Sequence, residues 1–78
     1  MAQVRDDKIL VRIALVLKDL RSEYQLSQEE VYYDTGVHIG RIESLQSNPT
    51  ISTLSVLTKY FKIKMSEFFK RVEHKSER

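Results

Sequence analysis

The sequence predicts an all-α domain of five helices, with a helix-turn-helix at its centre. Three observations carry that expectation. Apolar residues recur at helical spacing along most of the 78-residue chain. No segment sustains the strict alternation of a half-buried strand. Glycine and proline are scarce, at two and one residues, so little interrupts the helical segments.

The first helix is expected over residues 7–22. Ile9, Ile13, Val16, Leu17 and Leu20 share one face. Asp6 and Asp7 suit the positive end of the helix dipole, and Arg21 suits the negative end. Leu10 and Ala14 widen the apolar stripe, and Val11 and Leu15 lie further round. This is more apolar surface than a surface helix of a small domain needs. Either a partner subunit or a later part of the same chain is expected to cover the second face.

Ser27 is placed to accept from backbone N–H groups at the start of a second helix. With Glu30 three residues on, it matches a capping box, so this helix opens at Gln28. Its expected end is near Tyr33, because Asp34, Thr35 and Gly36 favour turns. A third helix is expected from Gly36 or Val37 to Leu45. Ile39 and Ile42 define its inner face, and His38, Arg41 and Ser44 fall on the outer side. Ser47, Asn48, Pro49 and Thr50 form a loop, with Pro49 disfavouring helix at Asn48. Thr50 or Ser52 caps a fourth helix over residues 52–61, with Leu54, Leu57 and Phe61 inward. A short fifth helix after Ser66 contributes Phe68, Phe69 and Val72. The polar residues 73–78 are expected to fray. The chain therefore reads as one domain over 1–78, with a core of about 7–72 and no repeat or linker.

Composition narrows the function classes. The absence of cysteine excludes disulfides and thiolate chemistry. The longest apolar cluster, residues 9–17, is interrupted by Arg12, so no membrane span is expected. Asp6, Asp7 and Lys8 precede that cluster and no small-residue cleavage site follows it. No leader is expected, and a cytoplasmic location follows. Net charge is +2, from 13 basic and 11 acidic residues, which is mild support for an anionic partner. Arg41, Lys59, Lys62, Lys64, Lys70 and Arg71 place basic charge in the second half, much of which an ordinary solvated surface accounts for. No nucleophile–base set or glycine-rich phosphate loop is present, and Glu29 and Glu30 are adjacent on a helix and do not face each other. His38 and His74 are too far apart in the chain to suggest a metal site. Neither an enzyme nor a cofactor, metal or small-molecule ligand is expected.

Several of these residues, in order, carry a family resemblance. Leu20 and Arg21 end the first helix, and Leu26, Ser27, Gln28, Glu29 and Glu30 open the second. Thr35, Gly36 and Val37 stand at the turn, and Ile42 and Glu43 close the third helix. Asn48, Pro49 and Thr50 follow, then Leu54, Leu57, Phe61 and Ile63. Over residues 9–69 the chain resembles the helix-turn-helix domain of phage repressors, Cro proteins and xenobiotic-response-element (Xre) regulators. The resemblance implies a five-helix, lambda-repressor-like fold. Two departures accompany it. Tyr32 and Tyr33 stand where the family usually has a small residue, and the distance from Gln28 to Ile42 and Glu43 is short by about three residues, roughly one helical turn.

The resemblance implies that the second and third helices meet double-stranded DNA. Gln28 stands at a helix N-terminus, where free N–H groups suit a phosphate; otherwise it is simply an exposed polar residue. Arg41 can donate two hydrogen bonds to guanine or clamp a phosphate; otherwise it forms a salt bridge with Glu43 or with a neighbouring helix. Thr35 and His38 fall at the end of the third helix that meets base edges, although Thr35 serves equally as its N-cap. Ser44 lies on the same outer side. Tyr33 can reach phosphate through its hydroxyl while Tyr32 packs inward, or both are aromatics of the core or of a dimer surface. Gly40 permits close approach, either of DNA or of the first helix. Ser47, Asn48 and Thr50 offer N–H groups and hydroxyls to the sugar-phosphate chain, or serve as turn and cap.

The expected function is therefore a sequence-specific DNA-binding transcriptional regulator. One short helix reads few base pairs, so a homodimer on a pseudo-palindromic operator is expected. The alternative is a protein-interaction module, antitoxin-like or inhibitory, that keeps the fold without reading DNA.

Overall fold

The computed structural model describes residues 5–76. It contains five helices: α1 (Asp7–Glu23), α2 (Gln28–Thr35), α3 (Ile39–Glu43), α4 (Ile51–Tyr60) and α5 (Met65–His74). No strand occurs among the described residues. The all-α class, the five helices and the helix-turn-helix formed by α2 and α3 are those the sequence predicts.

Packing centres on α1. Leu10, Ile13, Ala14, Val16, Leu17 and Leu20 are all buried. Both α3 and α5 pack against it, α5 also meets α4, and α2 contacts α3 and α4. The broad apolar surface of α1 is thus covered largely from within the chain. Val31, Ile39, Ile42, Leu54, Leu57, Phe61, Phe68 and Val72 complete the core. Each such side chain, fully buried, contributes about 1.5–3 kcal/mol.

Helix starts follow local chemistry. Asp6 accepts from the backbone N–H groups of Lys8 and Ile9. Ser27 and Glu30 form the capping box reciprocally, both bonds at 3.0 Å. Thr50, rather than Ser52, caps α4 by accepting from Thr53 N–H at 3.0 Å.

Helix ends carry weaker local signals. α1, α3 and α4 close with the same backbone turn, in which Leu26, Gln46 and Ile63 N–H donate to the carbonyls of Arg21, Arg41 and Thr58 at 2.8–2.9 Å. The left-handed residue in these turns is Gln25, Leu45 and Lys62 in turn, with φ of 55°, 64° and 56°. α2 ends on Gly36, with φ 77°.

Several expected boundaries are corrected. α2 continues through Asp34 and Thr35, because the Thr35 hydroxyl donates to the Val31 carbonyl at 2.7 Å. α3 is shorter than expected at both ends. At its start, Val37 packs against the core and His38 is non-helical (φ −77°, ψ 75°). At its end, left-handed Leu45 turns the chain back. α5 extends through Glu73 and His74, and the Lys75 ammonium that follows is bonded to Asp19. Residues 77–78 of the expected polar tail lie outside the described residues. Among the described residues no helix is long and apolar enough to cross a membrane.

Candidate nucleic-acid interface

The capping box fixes the register of α2 and so places Gln28 and Tyr32, four residues apart, on one face. Val31 turns the other way and is fully buried. α3 is anchored through Ile39, Ile42 and Glu43, all buried. This leaves His38, Arg41 and Ser44 exposed on its outer side, as the periodicity predicts.

A polar network joins the two helices to α1. Arg21 donates to both Glu43 carboxylate oxygens, at 2.6 and 2.7 Å, and to the Leu26 carbonyl at 2.9 Å. The Glu43 side chain is 2% exposed and that of Arg21 17%. Hydrogen bonding to Glu43 holds the Arg21 guanidinium above its ordinary pKa. Gln28 adds a third donor to Glu43, at 3.0 Å. Glu43 therefore pairs with Arg21 rather than with Arg41. Among the described residues the Arg41 guanidinium makes no ion pair or hydrogen bond.

Gly40 lies against α2, not against α1. A Cβ there would stand 2.9 Å from Gln28 Oε1, so glycine permits the close approach of α3 to Gln28. Gln28 remains exposed while making this contact. The backbone N–H groups of Gln28 and Glu29 have no acceptor among the described residues, as the first turn of a helix requires.

Two open grooves flank α3. One, of about 350 Å³, is lined by Gln28, Tyr32, His38, Arg41, Ser44 and Gln46 among others. The other, of about 340 Å³, is lined by His38, Arg41, Ser47, Asn48 and Thr50 among others. His38 and Arg41 border both and form the ridge between them. Seven of the nine expected contact residues thus gather on one continuous surface.

Thr35 and Tyr33 stand apart from it. The Thr35 hydroxyl is committed twice, donating to Val31 O and accepting from Val37 N–H at 3.0 Å, so it ends α2 and does not cap α3. His38 occupies the N-cap position of α3 without a side-chain bond. Tyr33 is 85% exposed and lines neither groove. In the loop, the Ser47 N–H donates to the Arg41 carbonyl at 3.2 Å, and Thr50 is spent on its cap.

Tyr32, Glu29 and Gln46 also line the first groove and were not expected there. Tyr32 does not pack inward; it stacks on the His38 ring with centroids 4.2 Å apart. Its four-residue spacing from Gln28 is the signal that locates it. Gln46 arrives through the left-handed turn at Leu45, for which the sequence holds no glycine signal.

The two helices differ in length. α2 has eight residues and α3 five. The third helix is about 7.5 Å long at 1.5 Å per residue, and a tight turn centred on His38 stands before it, in which the Ile39 N–H donates to the Val37 carbonyl at 2.9 Å.

No protein-family model matches the chain, and no curated protein matches it. Among solved structures it is similar to the wild-type restriction-modification controller protein C.Esp1396I, with a TM-score of 0.76 and 26% sequence identity. The match covers 85% of this chain and 88% of the controller protein. The five-helix arrangement built above is thus shared, over nearly the full length of both chains, with a controller of restriction-modification.

Proposed function

We propose that this chain is a non-enzymatic, Xre-type regulator of transcription that binds double-stranded DNA in the cytoplasm through α2 and α3. The observation that carries the proposal is the Arg41 ridge. An exposed guanidinium with no partner among the described residues stands between two grooves, on a helix whose opposite face is locked into the core. Unspent donors in that position suit guanine O6 and N7 or phosphate oxygens. The free N–H groups opening α2 suit a neighbouring phosphate. Similarity to a restriction-modification controller supports the same reading.

A five-residue reading helix reaches few base pairs, so the proposal includes a homodimer on a pseudo-palindromic operator. The test is selection of bound duplexes from a random pool, with a mass measurement in solution. Arg41→Ala should lower affinity for the selected duplex about tenfold or more, the value of one base-directed pair, without changing thermal unfolding. Affinity should also fall as salt rises. Unchanged binding by the variant, or binding indifferent to salt, contradicts the proposal.

A further inference from the structure

The five-residue α3 leaves few side chains able to reach outward. Gly40 has none, and its surface is occupied by Gln28. The Ser44 hydroxyl leans back on the Arg41 carbonyl at 3.4 Å. On α3 itself only Arg41 is both long and uncommitted. The next outward group is His38, immediately before the helix. Its ring does not cap α3 and its nitrogens make no hydrogen bond among the described residues. It is nevertheless held: the Tyr32 ring lies against it at a centroid distance of 4.2 Å and an interplanar angle of 24°. Both rings are exposed and both line the first groove beside Arg41.

We propose that Tyr32 is a positioning residue that holds the His38 ring as a reader of base edges, adding to the few contacts that the five-residue α3 can supply. This rests on the DNA-binding reading above. An imidazole held by nothing else loses rotamer freedom when it binds, and that loss weakens binding. Stacking on a tyrosine anchored in α2 removes much of the loss beforehand. A neutral imidazole offers one donor and one acceptor. The donor suits purine N7 or guanine O6, and the acceptor suits the exocyclic amine of adenine or cytosine. The pair therefore contributes discrimination between bases, whereas a phosphate contact would add affinity to every duplex alike.

The competing role is structural, with the stack merely packing α2 against α3. Binding of His38→Ala, Tyr32→Ala, Tyr32→Phe and the double alanine variant to a selected duplex and to a scrambled one separates the two, with thermal unfolding measured in parallel. His38→Ala should weaken selected-duplex binding about tenfold and leave scrambled-duplex binding nearly unchanged. Tyr32→Ala should weaken it about threefold, and Tyr32→Phe, which keeps the ring, should restore it. The double variant should bind no more weakly than His38→Ala. Equal losses on both duplexes, multiplying losses in the double variant, or no loss at all would overturn the proposal. If Arg41→Ala abolishes binding while the His38 and Tyr32 variants are silent, only this inference fails. If no duplex is bound by the unaltered protein, the DNA-binding reading fails with it.

Discussion

The two helices of the helix-turn-helix are stabilised in opposite ways. α2 is specified by its own sequence: a capping box starts it, the Thr35 hydroxyl bonds back within it, and Gly36 ends it in the left-handed region. α3 has five residues, no side-chain bond at its N-cap and a leucine in the left-handed position beyond its end. A single helical turn is not stable alone. α3 persists because Ile39 and Ile42 are buried and Glu43 is tied to α1 and α2. The lesson is that local signals set the supporting helix, while long-range contacts set the reading helix. The outer side of α3 is thereby left without a structural duty.

Removing the long-range tie should do the most damage. Glu43→Ala leaves the partly buried Arg21 guanidinium unpaired and Gln28 without its acceptor. A loss of about 3 kcal/mol in unfolding free energy is expected, at the low end for breaking a buried pair because Arg21 keeps some solvent contact. Ser27→Ala, which removes only the local cap of α2, should cost about 1 kcal/mol. Urea unfolding of both variants checks the order. Equal losses would erase the distinction between a self-specified and a held helix.

A smaller effect sharpens the comparison at the far end of α2. The Tyr60 hydroxyl donates to Asp34 Oδ2 at 2.6 Å, linking α2 to α4. The hydrogen bond to Asp34, with lesser help from burial and from the charges of Asp34 and Glu30, raises the Tyr60 pKa from 10.0 to about 12. Because the folded value is the higher one, this contribution is complete below pH 10, declines above it and is lost by about pH 12. The stability difference between the unaltered protein and Tyr60→Phe should therefore shrink over that window. A constant difference in pH-dependent unfolding would show that the bond contributes nothing there.

What the sequence made legible follows the same division. Ser27 with Glu30, Asp6 and Thr50 announce helix starts because caps act over two or three residues. The inner faces of α1 and α4 follow from periodicity. The length of α3 did not, since its limits depend on Val37 joining the core and Leu45 accepting an unfavourable φ. The pairing of Arg21 with Glu43 spans 22 residues and leaves no local trace. In the candidate site, the outward placement of His38, Arg41 and Ser44 was readable from Ile39 and Ile42. The inner commitment of Gln28 was not, because Glu43 lies 15 residues away in the chain; that of Thr35 is local, but a threonine at that point suits a bond back into α2 as well as a cap for α3.

The central claim is that the outer side of α3, with the opening of α2, receives duplex DNA. The most direct test is titration of the isotopically labelled protein with a selected duplex, following backbone amide resonances. The expected result is that the largest shifts fall at Gln28, Glu29, residues 38–44, Ser47, Asn48 and Thr50, while the α1–α5 side is unmoved. Shifts confined to α1 and α5, or none at saturating duplex, would contradict it.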